Sequence, residues 1–197
     1  MSKDAAPSPG SVQQAHWNGE TLVIRRIRGA DERAFLEFVR RLEPEDLRMR
    51  FFGCPHQLTH EELVRLTQVD EARELALVAV RTPPDRCDEI LGVARAVTEA
   101  DGIDAELGII VRSDLKSEGL GGLLLRHLID GLAGRGPRRL VAYVMHENLA
   151  MLKLARSNGF VPDVPGSDGQ ALCLVLDLCV PAMAERANPR LDSAVSV

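Results

Sequence analysis

Apolar and polar residues alternate from Thr21 to Arg28, with Leu22, Ile24 and Ile27 in one phase, and predict a first strand. Asp31 is placed to cap a helix in which Phe35, Leu36, Phe38, Val39 and Leu42 recur at helical spacing through Glu43, and Pro44 predicts its end. Arg48-Met-Arg-Phe-Phe-Gly53 then leads through Pro55 to Thr59, which forms a capping box with Glu62 and opens a short helix. Leu75 to Val80 is a buried strand, stopped by Thr-Pro-Pro84. Ile90 to Thr98 is the next, and Asp101-Gly102 predicts a hairpin into a strand from Asp104 to Arg112. A helix from Leu120 to Gly134 points Leu123, Leu124, Leu128 and Leu132 inward. Leu140 to Val144 is a strand, His146-Glu-Asn148 opens a helix ending at Asn158-Gly159, and Ala171 to Leu178 is the last strand. The order β-α-α-β-β-β-α-β-α-β, with hairpins early and a βαβ unit late, implies an α/β (α+β) fold with one central mixed sheet flanked by helices.

The segment between the Asp104 strand and the Leu120 helix carries the first chemical signal. Three glycines fall in four residues, Gly119, Gly121 and Gly122. Glycine lets a backbone approach a ligand closely, and the first amides of a helix are unpaired donors at its positive end. The expected ligand is a phosphate or diphosphate. The dinucleotide fingerprint G-x-G-x-x-G does not fit, and no Gly-Lys-Ser or Gly-Lys-Thr follows for a P-loop.

Composition narrows the class. The 197 residues suffice for one domain, and a net charge of −5 argues against nucleic acid as a partner. No apolar run reaches the ~20 residues of a membrane span, and the N-terminus lacks a signal-peptide core, so the expected location is cytoplasmic. Cys54, Cys87, Cys173 and Cys179 follow no zinc or redox pattern. Cys54, His56 and His60 lack a fourth ligand, and no metal is expected. The expected boundaries are a flexible arm over 1–19, a single domain over 20–180 and a tail over 181–197. Trp17 is positioned to pin the arm to the body.

Lys116-x-x-Gly119-x-Gly121 resembles the acyl-CoA diphosphate loop of the GNAT superfamily of N-acetyltransferases, usually Gln/Arg-x-x-Gly-x-Gly/Ala. Lysine departs mildly from that pattern, at little cost where the residue contributes its backbone N–H. Asn148-x-x-Met-Leu-x-Leu-Ala-x-x-Asn-Gly-Phe160 is similar to the last helix of that superfamily, at the expected separation. Arg50-Phe-Phe, Leu66-Thr-Gln-Val-Asp-Glu-Ala-Arg-Glu-Leu-Ala-Leu-Val-Ala79 and Val111-Arg-Ser-Asp-Leu-Lys-Ser-Glu-Gly-Leu-Gly look like the catalytic domain of bacterial Pat-type protein lysine acetyltransferases. The resemblance spans roughly residues 21 to 179.

The resemblance implies acetyl-CoA as co-substrate and a lysine ε-amine as acceptor, the target being the active-site lysine of an AMP-forming acyl-CoA synthetase. Small-amine acetylation and non-catalytic acyl-CoA sensing are the alternatives. A lysine side chain is neutral about once in 2,500 at pH 7, so activation costs about 4.6 kcal/mol, which a positioned base helps to supply. In strand phase, Glu106 and Gly108 share one face, leaving room beside that carboxylate, and partial burial would suit it to proton transfer. In Pat-like enzymes a glutamate at this place is the general base; a solvated strand residue is the alternative, with Asp104 next if the register slips. The resemblance places the pantetheine arm along Ile109, Ile110 and Val111, beside a strand that splays from its neighbour. It places the diphosphate on the amides of Lys116, Ser117, Glu118, Gly119, Leu120, Gly121 and Gly122. Asn148 either reaches the thioester region or simply caps its helix. The tyrosine that many GNAT enzymes use as acid is replaced by Ala155, so no general acid is assigned. His127 and His146, and Arg135, Arg138 and Arg139 near a CoA phosphate, are weaker candidates. Arg50 to Phe52 and Asp70 to Arg73 are expected to flank the acceptor mouth.

Overall fold

The computed structural model describes residues 12–53, 58–83 and 87–178. Its elements are β1 (Gln13–Trp17), β2 (Glu20–Arg26), α1 (Glu32–Val39), α2 (Pro44–Phe51), α3 (His60–Thr67), β3 (Glu74–Arg81), β4 (Glu89–Thr98), β5 (Asp104–Val111), α4 (Leu120–Leu132), β6 (Arg139–Met145), α5 (Leu149–Ser157), β7 (Val161–Pro162) and β8 (Ala171–Asp177). The strands form one sheet in the order β1-β2-β3-β4-β5-β6-β8-β7. Every neighbouring pair is antiparallel except β5 and β6, which α4 connects as a crossover.

Alternation along β3 sends side chains to two apolar layers. Leu75, Leu77 and Ala79 meet the layer built by Leu120, Leu124, Leu125, Leu128 and Leu132 of α4 and Leu152 of α5. Ala76, Val78 and Val80 meet Phe35 and Phe38 of α1 and Leu63 of α3 on the opposite face. A strand covered on both faces reads as a continuous apolar run, as 75–80 does. On the α1 side, the Arg25 guanidinium donates to both Asp31 oxygens at 2.7 and 2.8 Å, and the pair is almost fully buried.

Two elements differ from the sequence expectation. Gln13–Trp17, assigned to the flexible arm, is a strand that buries Ala15 and Trp17. Asn18 (φ 46°) and Gly19 (φ 78°) form the two-residue turn that pairs it with β2. Pro44 does not merely close a helix; it stands in the first turn of α2, where its missing N–H costs nothing. The Lys116 ammonium and the Ser113 hydroxyl both meet Asp46 of this helix and tie it to the segment that follows β5.

Candidate active site

β5 runs beside β4 along its whole length, from Thr98↔Ala105 to Gly92↔Val111. Its pairing with β6 covers only Asp104↔Arg139, Ala105↔Leu140 and Glu106↔Val141. Beyond Glu106 the two strands part, while β6 continues along β8 as far as Met145↔Ala171. The wedge opens a cleft of about 650 Å³ between β5, β6, α2, α5 and the α4 N-terminus. Backbone polar groups on the parted strand edges lack ladder partners there and are available to an extended ligand.

The wide end of the wedge meets the glycine loop. Ser117 (φ 64°) and Gly119 (φ 89°) both have left-handed backbones, which swing the chain into α4. The first bond of that helix runs from the Leu123 amide to the Gly119 carbonyl at 3.1 Å. The amides of Leu120, Gly121 and Gly122 therefore precede the helical ladder. Trp17 Nε1 donates to the Glu118 carbonyl at 2.8 Å, and Asn18 Nδ2 donates to the Glu118 carboxylate at 2.5 Å. The N-terminal hairpin thus fastens the loop, whereas Trp17 was expected only to pin an arm to the body. The Lys116 ammonium pairs with Asp46 of α2, which also accepts from the Ser113 hydroxyl at 2.5 Å.

Of the residues singled out from sequence, Glu106, Ile109, Ile110, Val111, Lys116, Ser117, Gly119, Gly121, Gly122 and Asn148 line the cleft. Leu120 puts its side chain in the core, and Glu118 turns to the hairpin, so neither side chain faces the cleft. Asn148 Oδ1 accepts from the Met151 amide at 3.0 Å, so its oxygen caps α5 and its amide group remains for the cleft.

Glu106 is exposed at the narrow end, not partly buried. Nor is the space over Gly108 free: a Cβ there would overlap the Arg50 guanidinium, whose Nε would lie 2.8 Å away. Burial draws that guanidinium below the ordinary arginine range; Glu106 opposes the shift and Arg95 adds to it. Tyr143, without a role in the sequence reading, also lines the cleft. Partial burial, Cys173 and Glu106 raise its phenol, so it stays protonated and can serve as a donor.

Other candidates lie elsewhere. Asp104 is bound at both oxygens by Arg139, at 2.6 and 2.5 Å. Arg135 donates to the Glu71 carbonyl, Glu71 pairs with Arg26, and Arg73 donates to the Thr98 carbonyl, so the 70–73 segment is away from the cleft. His127, His146 and Arg138 do not line it either. His60 pairs with Glu32 at 2.9 Å, while Cys54 and His56 fall outside the described residues. Among the described residues no group of three His, Cys, Asp or Glu is placed to hold a metal, and no helix is long and apolar enough to cross a membrane. Arg50 to Phe52 were expected beside the acceptor mouth, and Arg50 and Phe52 line the cleft; sequence reasoning missed Asp46 and Met49, because it did not predict α2.

A strand pair that parts into a cleft ending at free helix amides is the architecture of an acyl-CoA-dependent transferase, and the family comparison agrees. The Acetyltransferase (GNAT) domain family matches residues 21–161, and the chain belongs to that family. It is 28% identical over 156 residues to acetyltransferase PA5475 of Pseudomonas aeruginosa, covering 77% of this chain and 83% of that protein. Among solved structures, the GNAT domain of S. lividans PAT has a similar fold, with a TM-score of 0.76, 24% identity, and coverage of 84% of this chain and 96% of that one. RimL, a ribosomal L7/L12 alpha-N-protein acetyltransferase in complex with coenzyme A, shares the fold with a TM-score of 0.63 at 18% identity, covering 79% of this chain and 93% of that one.

Proposed function

We propose that this GNAT acetyltransferase moves acetyl from acetyl-CoA to a lysine ε-amine of a protein, with the active-site lysine of an AMP-forming acyl-CoA synthetase as target. The observation that carries the reading is the β5–β6 wedge, which starts at Glu106 and ends at the amides of Leu120 to Gly122. Those amides and the helix dipole suit a diphosphate. The apolar walls of Ile109, Val111 and Leu154 and the parted strand edges suit a pantetheine arm. Bound acetyl-CoA supplies an activated carbonyl. A protein acceptor is favoured by the exposed apolar rim at the mouth, where Phe52, Tyr143 and Leu149 all line the cleft yet remain open to solvent.

Glu106 takes a proton from the acceptor ammonium, directly or through water, and releases the nitrogen lone pair. The N–C bond forms as the C–S bond breaks, and the second proton lost by the nitrogen passes through water to the departing thiolate. Because no side chain is assigned as acid, the thiolate, with a pKa near 8.5, leaves with help from water.

The test is thiol release from acetyl-CoA with a purified synthetase and with small amines, in wild type and Glu106→Gln. The expected result is acetylation of the synthetase lysine that drops about 10²- to 10⁴-fold in Glu106→Gln, with coenzyme A uptake unchanged. Turnover on small amines alone would refute the protein acceptor. Coenzyme A uptake without turnover on any amine would make the protein a sensor.

A further inference from the structure

The Arg50 guanidinium stands over β5 at Gly108, on the face that Glu106 shares two residues away. It lines the cleft and is half-buried. Among the described residues it has no ion-pair or hydrogen-bond partner; its one contact of note is the Phe51 ring, with Cζ 5.0 Å from the centroid. Arg95, opposite Gly108 on β4, is by contrast paired with Glu74 at 3.2 Å and donates to the Leu66 carbonyl. Arg25 and Arg112 are likewise held by carboxylates. Withdrawing a charge from water is costly unless an opposite charge meets it. Glu106 lies within the field of Arg50 but is not ion-paired with it.

We propose that Arg50 forms an anion subsite that selects acceptors carrying a carboxylate close to the reacting amine. The inference rests on the acetyltransferase reading of the cleft and names the acceptor chemistry within it. Glu106 and Gly108 are two strand residues apart, about 7 Å. An amine delivered to Glu106 therefore leaves a neighbouring carboxylate within reach of the guanidinium, whose planar fork donates to both its oxygens. In a protein acceptor that carboxylate belongs to an Asp or Glu beside the target lysine. In a small acceptor it is the carboxylate of an amino acid.

The experiment uses the full chain loaded with coenzyme A and product-like peptides, so that binding is read apart from turnover. Acetyl-lysine peptides flanked by Glu or by Gln are titrated calorimetrically into wild type, Arg50→Gln, Arg50→Lys and Gly108→Ala. The last variant displaces the guanidinium without removing it. The expected result is about tenfold tighter binding of the Glu peptide to wild type, a ratio near one in Arg50→Gln and Gly108→Ala, and a partial ratio in Arg50→Lys, which keeps the charge but loses the fork. In turnover with the unacetylated peptides, KM carries the difference and kcat does not. Equal binding of both peptides by wild type, together with no preference for free lysine over lysinamide, overturns the proposal, as does an unchanged ratio in Arg50→Gln. A fall in kcat on both peptides with KM unaltered also overturns it, because Arg50 would then serve the transition state. Discrimination between free lysine and lysinamide, without discrimination between the peptides, supports the subsite but moves the carboxylate to a small acceptor. Coenzyme A uptake is measured on the same samples: its failure in wild type refutes the acetyltransferase reading, whereas normal uptake with neither a peptide preference nor a preference for free lysine refutes the subsite alone.

Discussion

Two glycines of the loop make separable predictions. At Gly119 (φ 89°, ψ −5°) a Cβ would meet nothing within 4 Å, so Gly119→Ala acts through torsion alone. Left-handed backbone costs an L-residue about 1–2 kcal/mol. In a protein of this size that lowers the melting temperature by about 2–8 °C. At Gly121 the added Cβ would sit 3.4 Å from Leu154 Cδ2 and 3.8 Å from Val111 Cγ2, ordinary contacts, and alanine favours the helix. Gly121→Ala should therefore melt no lower than wild type. Gly121 lines the cleft, however, and a methyl there holds a diphosphate away from the amides. Losing one charge-assisted hydrogen bond, about 1.5–3 kcal/mol, weakens coenzyme A binding about 10- to 100-fold. Melting curves and calorimetric titration with coenzyme A read the two effects. Wild-type affinity in Gly121→Ala would refute close approach of the ligand to this backbone. A wild-type melting curve for Gly119→Ala would refute the left-handed turn.

The remaining predictions concern the supports of the cleft. Trp17→Phe leaves the Glu118 carbonyl without its 2.8 Å donor, at a cost of about 1–3 kcal/mol; a lower melting temperature and weaker coenzyme A binding should appear together. Asp31→Asn breaks an ion pair whose side chains are 6% and 8% exposed, and should destabilise by about 3–5 kcal/mol in denaturant titration. Burial pushes the Asp31 carboxyl up, but its bonds from Arg25 and the Arg28 amide outweigh this and hold it below the ordinary range. The folded value being depressed, its stabilisation is complete above the unfolded value near 3.9 and is lost as pH falls through the folded value. The gap between wild type and Asp31→Asn should therefore narrow below about pH 4; a constant gap would contradict the assignment.

Much of this site was legible in the chain because its parts are local. The glycine loop, the strand before it and the Asn148 cap lie in short segments, and the apolar run of 75–80 announces a strand buried on both faces. What escaped depends on partners far away in sequence. Ala15 and Trp17 give β1 only two apolar positions, and its Asn18-Gly19 turn, a hairpin signal in its own right, lay in a polar segment read as an arm. Pro44 reads equally as a stop or a start, because proline ends helices as readily as it begins them. Without α2, nothing in the sequence brings Arg50 to Gly108, a contact visible only once β5 and α2 are placed together. The ion pair of Asp104 with Arg139, 35 residues away, hid for the same reason.

Trp17 is the single tryptophan of the chain, and its indole N–H is bonded to the backbone of the loop expected to hold the diphosphate. Ultraviolet emission from the unlabelled protein should thus report from one known location. A change in wavelength or intensity on adding coenzyme A would come from the hairpin–loop junction, giving a stopped-flow signal for ligand arrival that requires no dye, no coupled assay and no knowledge of the acceptor.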